Sequence, residues 1–329
     1  MLTAIEHPQI SQILTLPGDN DAAWRADLER LRTGDVTLNR KTIGENSIKA
    51  IQRLFIFMGY STSSTGAFSI DGDFGRGTNR AAAQFQFEHG LNPALAREQL
   101  CYPCTFQTAR KEIVQIPDVT LDLPTLEKML EKTQEAIQLG QLNCGSFEAA
   151  LSHLNNLQTN SLGTCRAIAA QYGDMAKAAV DQIKKESGAT VQPEWVLSII
   201  RQETGGVVRP RFEQHLLSRF HRENPTADFT ELRYRAMSFG LGQILGDNYK
   251  AVKAASAKAM FTSPLPEQVL FVARFLTGNG RMRAVVAKTN PVAADFHTIG
   301  RHYNGPAYET HHYHESIERW FKEFKGLLK

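Results

Sequence analysis

The sequence lacks the features that direct a chain into or across a membrane. Its first eight residues carry neither a basic segment nor an apolar run, which predicts no signal peptide. No apolar stretch reaches the length that a membrane-spanning helix needs. We therefore expect a protein that is synthesised in the cytoplasm, is not inserted into a membrane, and needs another factor to reach any target outside.

The net charge is also small, and cysteines are few. The formal net charge is only +3, which suits a negatively charged polymer but is too small to indicate nucleic acid as a partner. Cys101 and Cys104 have the spacing of half a zinc site or of a redox pair. The remaining cysteines, Cys144 and Cys165, do not supply a second pair of that spacing. We expect free thiols or one short disulfide rather than zinc.

Several catalytic signatures are missing. The chain has no glycine-rich phosphate loop, no Gly-x-Ser-x-Gly nucleophile elbow and no His-Glu-x-x-His zinc motif. A histidine-rich tract near the C-terminus comprises His302, His311, His312 and His314. It lacks a carboxylate or cysteine at a known ligand spacing, which favours a solvated polar loop over a metal site. We expect neither a metal nor an organic cofactor.

Helical periodicity is the main pattern that the chain does have. Its length of 329 residues suggests two or three domains. Strand signals are few, apart from a short hairpin near Ser238, so we predict a mainly α fold. An N-terminal arm with one short helix from Asp21 to Leu31 precedes the domains. We divide the chain into this arm, a compact module, a helical connector formed by an antiparallel helix pair, and a helical C-terminal domain, at residues 1–36, 37–105, 106–160 and 161–329.

One predicted helix, from Pro193 to a stop at Gly205 and Gly206, carries the residue on which the functional prediction rests. Glu203 falls on its apolar stripe, which is made by Val196, Ile199 and Ile200. An apolar setting and the negative end of the helix dipole both favour the protonated form and raise the pKa of Glu203. A general acid for glycosidic cleavage requires such a carboxyl. The alternative is a solvated Glu at a frayed helix end.

Four motifs follow one another in this part of the chain: Glu203-x-Gly-Gly, Arg209-Pro-Arg-Phe-Glu-x-His215, Ser238-x-Gly-Leu-Gly-Gln-Ile and Tyr303-Asn-Gly-Pro. Taken in order, they resemble the N-acetylmuramidase catalytic domain of modular phage endolysins and related bacterial wall hydrolases. More distantly, they are similar to goose-type lysozymes and lytic transglycosylases. The resemblance covers roughly residues 160–329 and implies an α-helical, lysozyme-like catalytic domain.

A second resemblance lies nearer the N-terminus. An amphipathic helix from Ile48 to Tyr60, ending at Gly59, is followed by Asp71-Gly-x-Phe74-Gly-x-x-Thr78 and another helix. This order resembles the three-helix peptidoglycan-binding domain over most of residues 44–92. It implies that Asp71, Phe74 and Thr78 are structural, with Thr78 as a cap of the next helix and the binding surface around all three.

Glu213 is the second candidate carboxylate. Its neighbours Arg209 and Arg211 would keep it ionised, so that it stabilises positive charge on a sugar or orients a water molecule. The alternative is a structural ion pair with one of these arginines. We expect His215 to donate a scaffold hydrogen bond rather than act as a base.

Candidate substrate-binding residues lie in the two later motifs. Glycines such as Gly240 allow tight turns and a close approach of a polysaccharide to the backbone. Gln243 can bind an N-acetyl group or hold the catalytic Glu, and Ser238 can do either. A plain glycine-rich connection is the alternative. Tyr303 and Asn304 are expected to line the substrate.

Two further tyrosines, Tyr308 and Tyr313, either stack on sugar rings or belong to the core.

The two resemblances together imply a peptidoglycan hydrolase that acts on the cell wall, in the periplasm or outside, by cleaving the β-1,4 bond from N-acetylmuramic acid to N-acetylglucosamine. Glu203 would protonate the leaving oxygen, and water would capture the sugar. One alternative is a lytic transglycosylase that forms 1,6-anhydro-muramic acid ends, and another is a non-catalytic wall-binding protein. We expect a monomer that works either with a holin, as an endolysin, or with secretion machinery and an immunity protein, as an antibacterial effector.

Overall fold

The computed structural model describes residues 5–17, 22–34, 37, 42, 44–102, 104–108, 111–157 and 162–328. Helices dominate these residues, which confirms the mainly α fold class. The chain forms two compact units. Unit 1 comprises Met1–Gln158 and Pro210–Ser238, and unit 2 comprises Thr159–Arg209 and Phe239–Lys329.

The elements of both units are numbered in chain order. Unit 1 contains α1 (Pro8–Leu14), α2 (Ala22–Arg32), α3 (Glu45–Phe57), α4 (Arg76–Glu88), α5 (Arg97–Cys101), β1 (Cys104–Thr108), β2 (Lys111–Gln115), α6 (Leu123–Leu139), α7 (Phe147–Asn155), β3 (Arg211–Phe212), α10 (Gln214–Glu223), α11 (Phe229–Arg235) and most of β4 (Met237–Phe239). Unit 2 contains α8 (Cys165–Ser187), α9 (Pro193–Glu203), β5 (Ile244–Leu245), α12 (Ala257–Phe261), α13 (Leu265–Gly278), α14 (Gly280–Val286), α15 (Ala293–Tyr303) and α16 (Tyr313–Leu327).

Helix α3 is the central element of unit 1. It contacts α1, α2, α4, α6 and α7, because apolar residues cover most of its circumference. Leu54 and Phe55 are fully buried. The helix stops where predicted, since Gly59 adopts a φ of +87° that residues with a side chain rarely take.

The loop between α3 and α4 is organised by one buried side chain, Gln52. Its amide donates to Asp71 Oδ1 at 2.7 Å and to Thr78 Oγ1 at 3.0 Å. Its carbonyl oxygen accepts from the Asp71 and Gly72 amides. Asp71 and Thr78 are therefore structural, as expected, and Phe74 is buried.

The predicted capping role of Thr78 is wrong. The N-cap of α4 is Gly75, and Thr78 already lies in the first helical turn. Its hydroxyl donates back to the carbonyl oxygen of Asp73 at 2.9 Å. The Thr78 hydroxyl thus bonds the first turn of α4 to the loop before it, instead of accepting a hydrogen bond as an N-cap would.

The connector is only partly helical. An antiparallel hairpin, β1 with β2, occupies residues 104–108 and 111–115, with Cys104 opposite Gln115. We predicted a helical connector from residue 106. The hairpin was missed because two five-residue strands are too short to show a distinct period. The predicted pair of helices is present as α6 and α7, and Asp122 and Ser146 act as their N-caps.

Helices α6 and α7 both pack against α3. The connector therefore belongs to the core of unit 1 and is not a spacer. Residues 1–36 also contribute, since Trp24, Leu28 and Leu31 of α2 are buried on one side of the helix.

Residues 210–238 complete unit 1, although they lie within the segment assigned to the C-terminal domain. Arg211 and Phe212 of β3 pair with Ser238 and Met237 of β4. The Phe212 amide donates to the carbonyl oxygen of Gly66 at 2.8 Å, and a Cβ on Gly66 would come within 1.8 Å of the carbonyl oxygen of Phe212. The segment is thus fixed to the loop that precedes α4.

A buried ion pair makes a second link to this segment. Arg233 Nε donates to Glu88 Oε1 at 2.6 Å, and both side chains are almost fully buried. Tyr60 and Thr230 donate to the other carboxylate oxygen at 2.9 and 3.0 Å. Arg233 also donates to the carbonyl oxygen of Gly59 and stacks on the ring of Tyr60. The pair is well satisfied, as a buried charge must be.

Unit 2 is built on α8, which contacts α9, α13 and α16. The C-terminal domain that we predicted to be helical contains these three helices, among others. Trp195 of α9 is fully buried, and its ring lies 5.0 Å from that of Phe296 and 4.7 Å from that of Phe321. This packing fixes α9, whose last residue is Glu203.

The described residues also bear on the cysteines, on metal binding and on membrane insertion. Cys101, Cys144 and Cys165 are buried and take part in no disulfide among the described residues, while the side chain of Cys104 lies outside the described part of the structure. In that same part, no cluster of three or more His, Cys, Asp or Glu could hold a metal ion. Nor does any helix within it combine the length and the apolar character needed to cross a membrane.

Candidate active site

The end of α9 is built to hold Glu203 in place. Pro193 occupies the start of the helix and Thr204 follows its last residue. Thr204 Oγ1 donates to the carbonyl oxygen of Leu241 at 3.0 Å, which ties the helix end to the glycine-rich loop. Gly205 and Gly206 then turn the chain with φ values of +59° and +85°. The predicted helix stop is confirmed.

Glu203 lies in a partly closed setting beside a buried tyrosine. The Tyr313 hydroxyl donates to Glu203 Oε1 at 2.5 Å. Burial raises the pKa of Glu203 to about 7, while the hydrogen bond from Tyr313 acts in the opposite direction. A carboxyl with this pKa is partly protonated near neutral pH and can donate a proton.

Tyr303 is a second hydroxyl of the site. It donates to the carbonyl oxygen of Gly242 at 2.8 Å. Burial and the nearby charge of Glu203 both raise the pKa of Tyr303 well above its ordinary value, so it stays protonated. A Cβ on Gly242 would come within 2.7 Å of this hydroxyl oxygen. Glycine is therefore needed for the close approach of the loop to Tyr303.

The loop itself holds Gln243 in an unusual conformation. Its φ is +49°, which non-glycine residues rarely adopt, and Gly240 has a φ of +74°. The Gln243 amide nitrogen donates to the carbonyl oxygen of Gly240 at 3.2 Å. The side-chain amide of Gln243 therefore bonds within its own turn. Glu203 is held by Tyr313 and not by Gln243. Asn304 is exposed just after α15.

Glu213 and Ser238 belong to unit 1. Glu213 Oε1 accepts from Arg211 Nε at 2.7 Å, so the structural ion pair that we considered is present. Ser238 is the strand partner of Arg211. The scaffold role expected for His215 is wrong, because its side chain is 76% exposed and its Nδ1 lies 3.7 Å from the Glu213 carboxylate.

Tyr308 and Tyr313 are both core residues, at 2% and 3% exposure. The contact of Tyr313 with Glu203 was missed, because neither its spacing nor its neighbours distinguish it from an ordinary core tyrosine. The histidine tract is only partly solvated. His311 and His312 are exposed, but His314 is largely buried and stacks on His297 with ring centres 4.0 Å apart.

A raised-pKa carboxyl at the end of a packed helix, in a mainly α fold, is the kind of group that a general acid for glycosidic cleavage requires. Residues 226–325 match the model of the N-acetylmuramidase family, so this segment is a muramidase domain and the enzyme is of the N-acetylmuramidase type. Ser238, Gly240, Gln243, Tyr303 and Asn304 lie inside the matched segment, whereas Glu203 and Glu213 precede it.

No curated protein matches the sequence. Among solved structures, the chain is similar to the crystal structure of Burkholderia AP3 phage endolysin. The identity is 16% and the TM-score is 0.37, over 86% of this chain and 95% of that chain.

Proposed function

We propose that the protein cleaves peptidoglycan at the β-1,4 bond from N-acetylmuramic acid to N-acetylglucosamine, with Glu203 as the general acid. The observation that supports this is the Glu203 carboxyl, whose pKa burial raises to about 7 and whose Oε1 is held by Tyr313. A glycosidase acid must be protonated at working pH and held in a fixed orientation, and the raised pKa and the hydrogen bond from Tyr313 support this role for Glu203.

In the proposed reaction Glu203 gives its proton to the glycosidic oxygen while the bond to the sugar breaks. Because Oε1 accepts from Tyr313, the proton to be donated lies on Oε2. The oxocarbenium-like sugar is then captured by water, directly or after a covalent step. The buried Tyr303 hydroxyl keeps the 240–243 loop beside the acid by donating to Gly242.

The roles of the other site residues follow from the resemblances and from local contacts. We assign Ser238, Gly240, Gln243 and Asn304 to substrate binding, and Glu213, held by Arg211, to the stabilisation of positive charge on the sugar. No metal or organic cofactor takes part in this scheme.

The N-terminal part of the chain is assigned to wall binding. We place the peptidoglycan-binding domain at residues 37–105, with Asp71, Phe74 and Thr78 as the framework of its surface. The protein would act as a monomer on the wall, in the periplasm or outside. It would reach the wall through a holin, or through a secretion system with an immunity protein to protect the producer.

Mass spectrometry of the products from purified sacculi tests the reaction. Hydrolysis leaves reducing ends on N-acetylmuramic acid, and this is the expected result. Anhydro-muramic ends would instead show a lytic transglycosylase, and the absence of new ends would show a non-catalytic protein. The Glu203→Gln chain serves as the control that should release products at least ~10²-fold more slowly.

A further inference from the structure

Unit 1 contains a groove that none of the roles above uses. It has a volume of about 590 Å³ and lies between α1 and α7. Its lining includes Gln12, Phe147, Glu148, Leu151, Ser152 and Asn155, and we call it the α1–α7 groove. The volume falls within the range of small-ligand sites, about 300–1,000 Å³. None of the lining residues belongs to the 71–78 loop.

A buried arginine holds the two walls of this groove together. Arg53 of α3 is 0% exposed. Its Nε donates to the carbonyl oxygen of Ile13 at 2.5 Å, and its Nη2 donates to that of Gln12 at 3.2 Å and to Asn155 Oδ1 at 2.7 Å. The backbone of α1 and the end of α7 are therefore fixed by one guanidinium group.

This arginine lies apart from the carboxylates that the structure describes. Among the residues that the structure describes, no carboxylate pairs with Arg53, and its Nη1 has no hydrogen-bond partner. Burial disfavours the charged guanidinium and lowers the pKa of Arg53 to about 10. A buried cation that is only partly satisfied favours acceptor oxygens nearby.

The orientation of Asn155 follows from this contact. Since Oδ1 accepts from Arg53, the Nδ2 group of Asn155 is the part of the amide that is left to donate to a ligand. Gln12 brings a second amide and Ser152 an exposed hydroxyl, while Phe147 and Leu151 are half-buried apolar groups. Amides, a hydroxyl and one apolar side together match the hydroxyl and N-acetyl groups of an amino sugar.

Glu148 narrows the choice of ligand. It is exposed at the groove and adds a negative charge there, which disfavours polyanions such as nucleic acids or teichoic acids. It can accept hydrogen bonds from sugar hydroxyls instead. A glycan with N-acetyl carbonyl oxygens satisfies the donors of the groove without placing a phosphate beside this carboxylate.

We infer that the α1–α7 groove is a glycan-binding subsite, which takes N-acetylated amino sugars of the wall and lies outside the loop assigned to wall binding. The inference rests on the proposed wall substrate, but it concerns attachment and not cleavage. It assigns a function to the N-terminal arm, since Gln12 belongs to α1.

Sedimentation with purified sacculi tests the groove. Every protein carries Glu203→Gln, so that the sacculi stay intact. Ser152→Trp fills the groove from an exposed helical position without touching Arg53, and Gln138→Trp adds the same side chain at an exposed position of α6. We expect the affinity for sacculi to fall about tenfold or more in Ser152→Trp, and to stay unchanged in Gln138→Trp.

A second variant separates binding from folding. Asn155→Asp replaces the Nδ2 donor by an acceptor and gives Arg53 a carboxylate partner. It should therefore keep the melting temperature while weakening sacculus binding. The inference is overturned if Ser152→Trp and Asn155→Asp bind sacculi as tightly as Gln138→Trp. Loss of the proposed function would show separately, as an absence of new glycan ends with the chain that retains Glu203.

Discussion

At Glu203, desolvation outweighs the hydrogen bond from Tyr313, and the result is a pKa of about 7. The same burial that prepares the proton for donation also disfavours the ionised carboxylate in the folded protein. Under the proposed mechanism, catalysis and stability at this residue are therefore coupled through one proton, and replacing the residue should change both.

The Glu203→Gln variant should lose activity and gain stability. Glutamine keeps the shape but cannot donate the proton, so the rate of wall clearing should fall at least ~10²-fold. The exposed Glu223, which pairs with Arg219 at 3.6 Å, provides the control: Glu223→Gln should clear at the wild-type rate. Equal clearing by a well-folded Glu203→Gln protein would contradict the assignment of the acid.

The stability gain should depend on pH. Because the folded pKa of Glu203 is raised, its favourable contribution is complete below its ordinary value of 4.5 and is lost as the pH rises through about 7. Urea unfolding should thus show Glu203→Gln to be more stable than the wild type above pH 7, by at most about 3 kcal/mol. The difference should vanish near pH 4.

The Tyr313→Phe variant tests the hydrogen bond to the acid. The hydroxyl lowers the pKa of Glu203, so its removal should raise that pKa and move the alkaline limb of the pH–rate profile to higher pH. The rate should fall by about tenfold, as expected for one lost hydrogen bond. Tyr308→Phe is the control, since its hydroxyl contacts His297 and Glu309 and not Glu203. An unshifted limb in Tyr313→Phe would refute the positioning role.

Among the elements, the 240–243 loop depends on close packing rather than on charge. Gly242→Ala would place a Cβ 2.5 Å from Val272 Cγ2 and 2.7 Å from the Tyr303 hydroxyl oxygen. We expect a loss of about 1–3 kcal/mol in unfolding free energy and a fall in activity, because Tyr303 must move. Gly280→Ala meets nothing within 4 Å and should change neither quantity.

Helix α11 is joined to α4 by the Arg233–Glu88 pair. Arg233→Ala leaves Glu88 buried without its charge partner, and this should destabilise the protein by about 3–5 kcal/mol. Arg219→Ala breaks the exposed pair with Glu223 and should change stability by less than about 1 kcal/mol. Thermal unfolding of the two variants in parallel provides the measurement, and similar melting temperatures would contradict the structural role of the buried pair.

For the whole molecule, local signals in the sequence were enough for many elements. Proline and glycine marked both ends of α9, and the apolar stripe placed Glu203, because these signals act within one or two turns. Contacts between distant residues could not be predicted. Tyr313 lies 110 residues from Glu203, and Arg233 lies 145 residues from Glu88. Such pairs depend on the tertiary fold, so no pattern of neighbouring residues predicts them.

The division into two units gives a prediction about fragments. A fragment of residues 159–329 retains 210–238 but lacks Gly66 and Glu88, which contact Phe212 and Arg233. Residues 210–238 should therefore be cleaved rapidly in limited proteolysis of this fragment, and slowly in the full chain. Co-expression of residues 1–158 should restore protection. Equal resistance of the fragment and the full chain would show that the segment folds without unit 1.

The return of residues 210–238 to unit 1 also sets the order of folding during translation. The first part of that unit ends at Gln158, and its last residue is Ser238. The ribosome needs roughly 4 to 16 s to add the intervening residues at ordinary elongation rates. During this interval Glu88 is present without Arg233. Unit 2 in turn waits for α16, so unit 1 has all of its residues before unit 2 does.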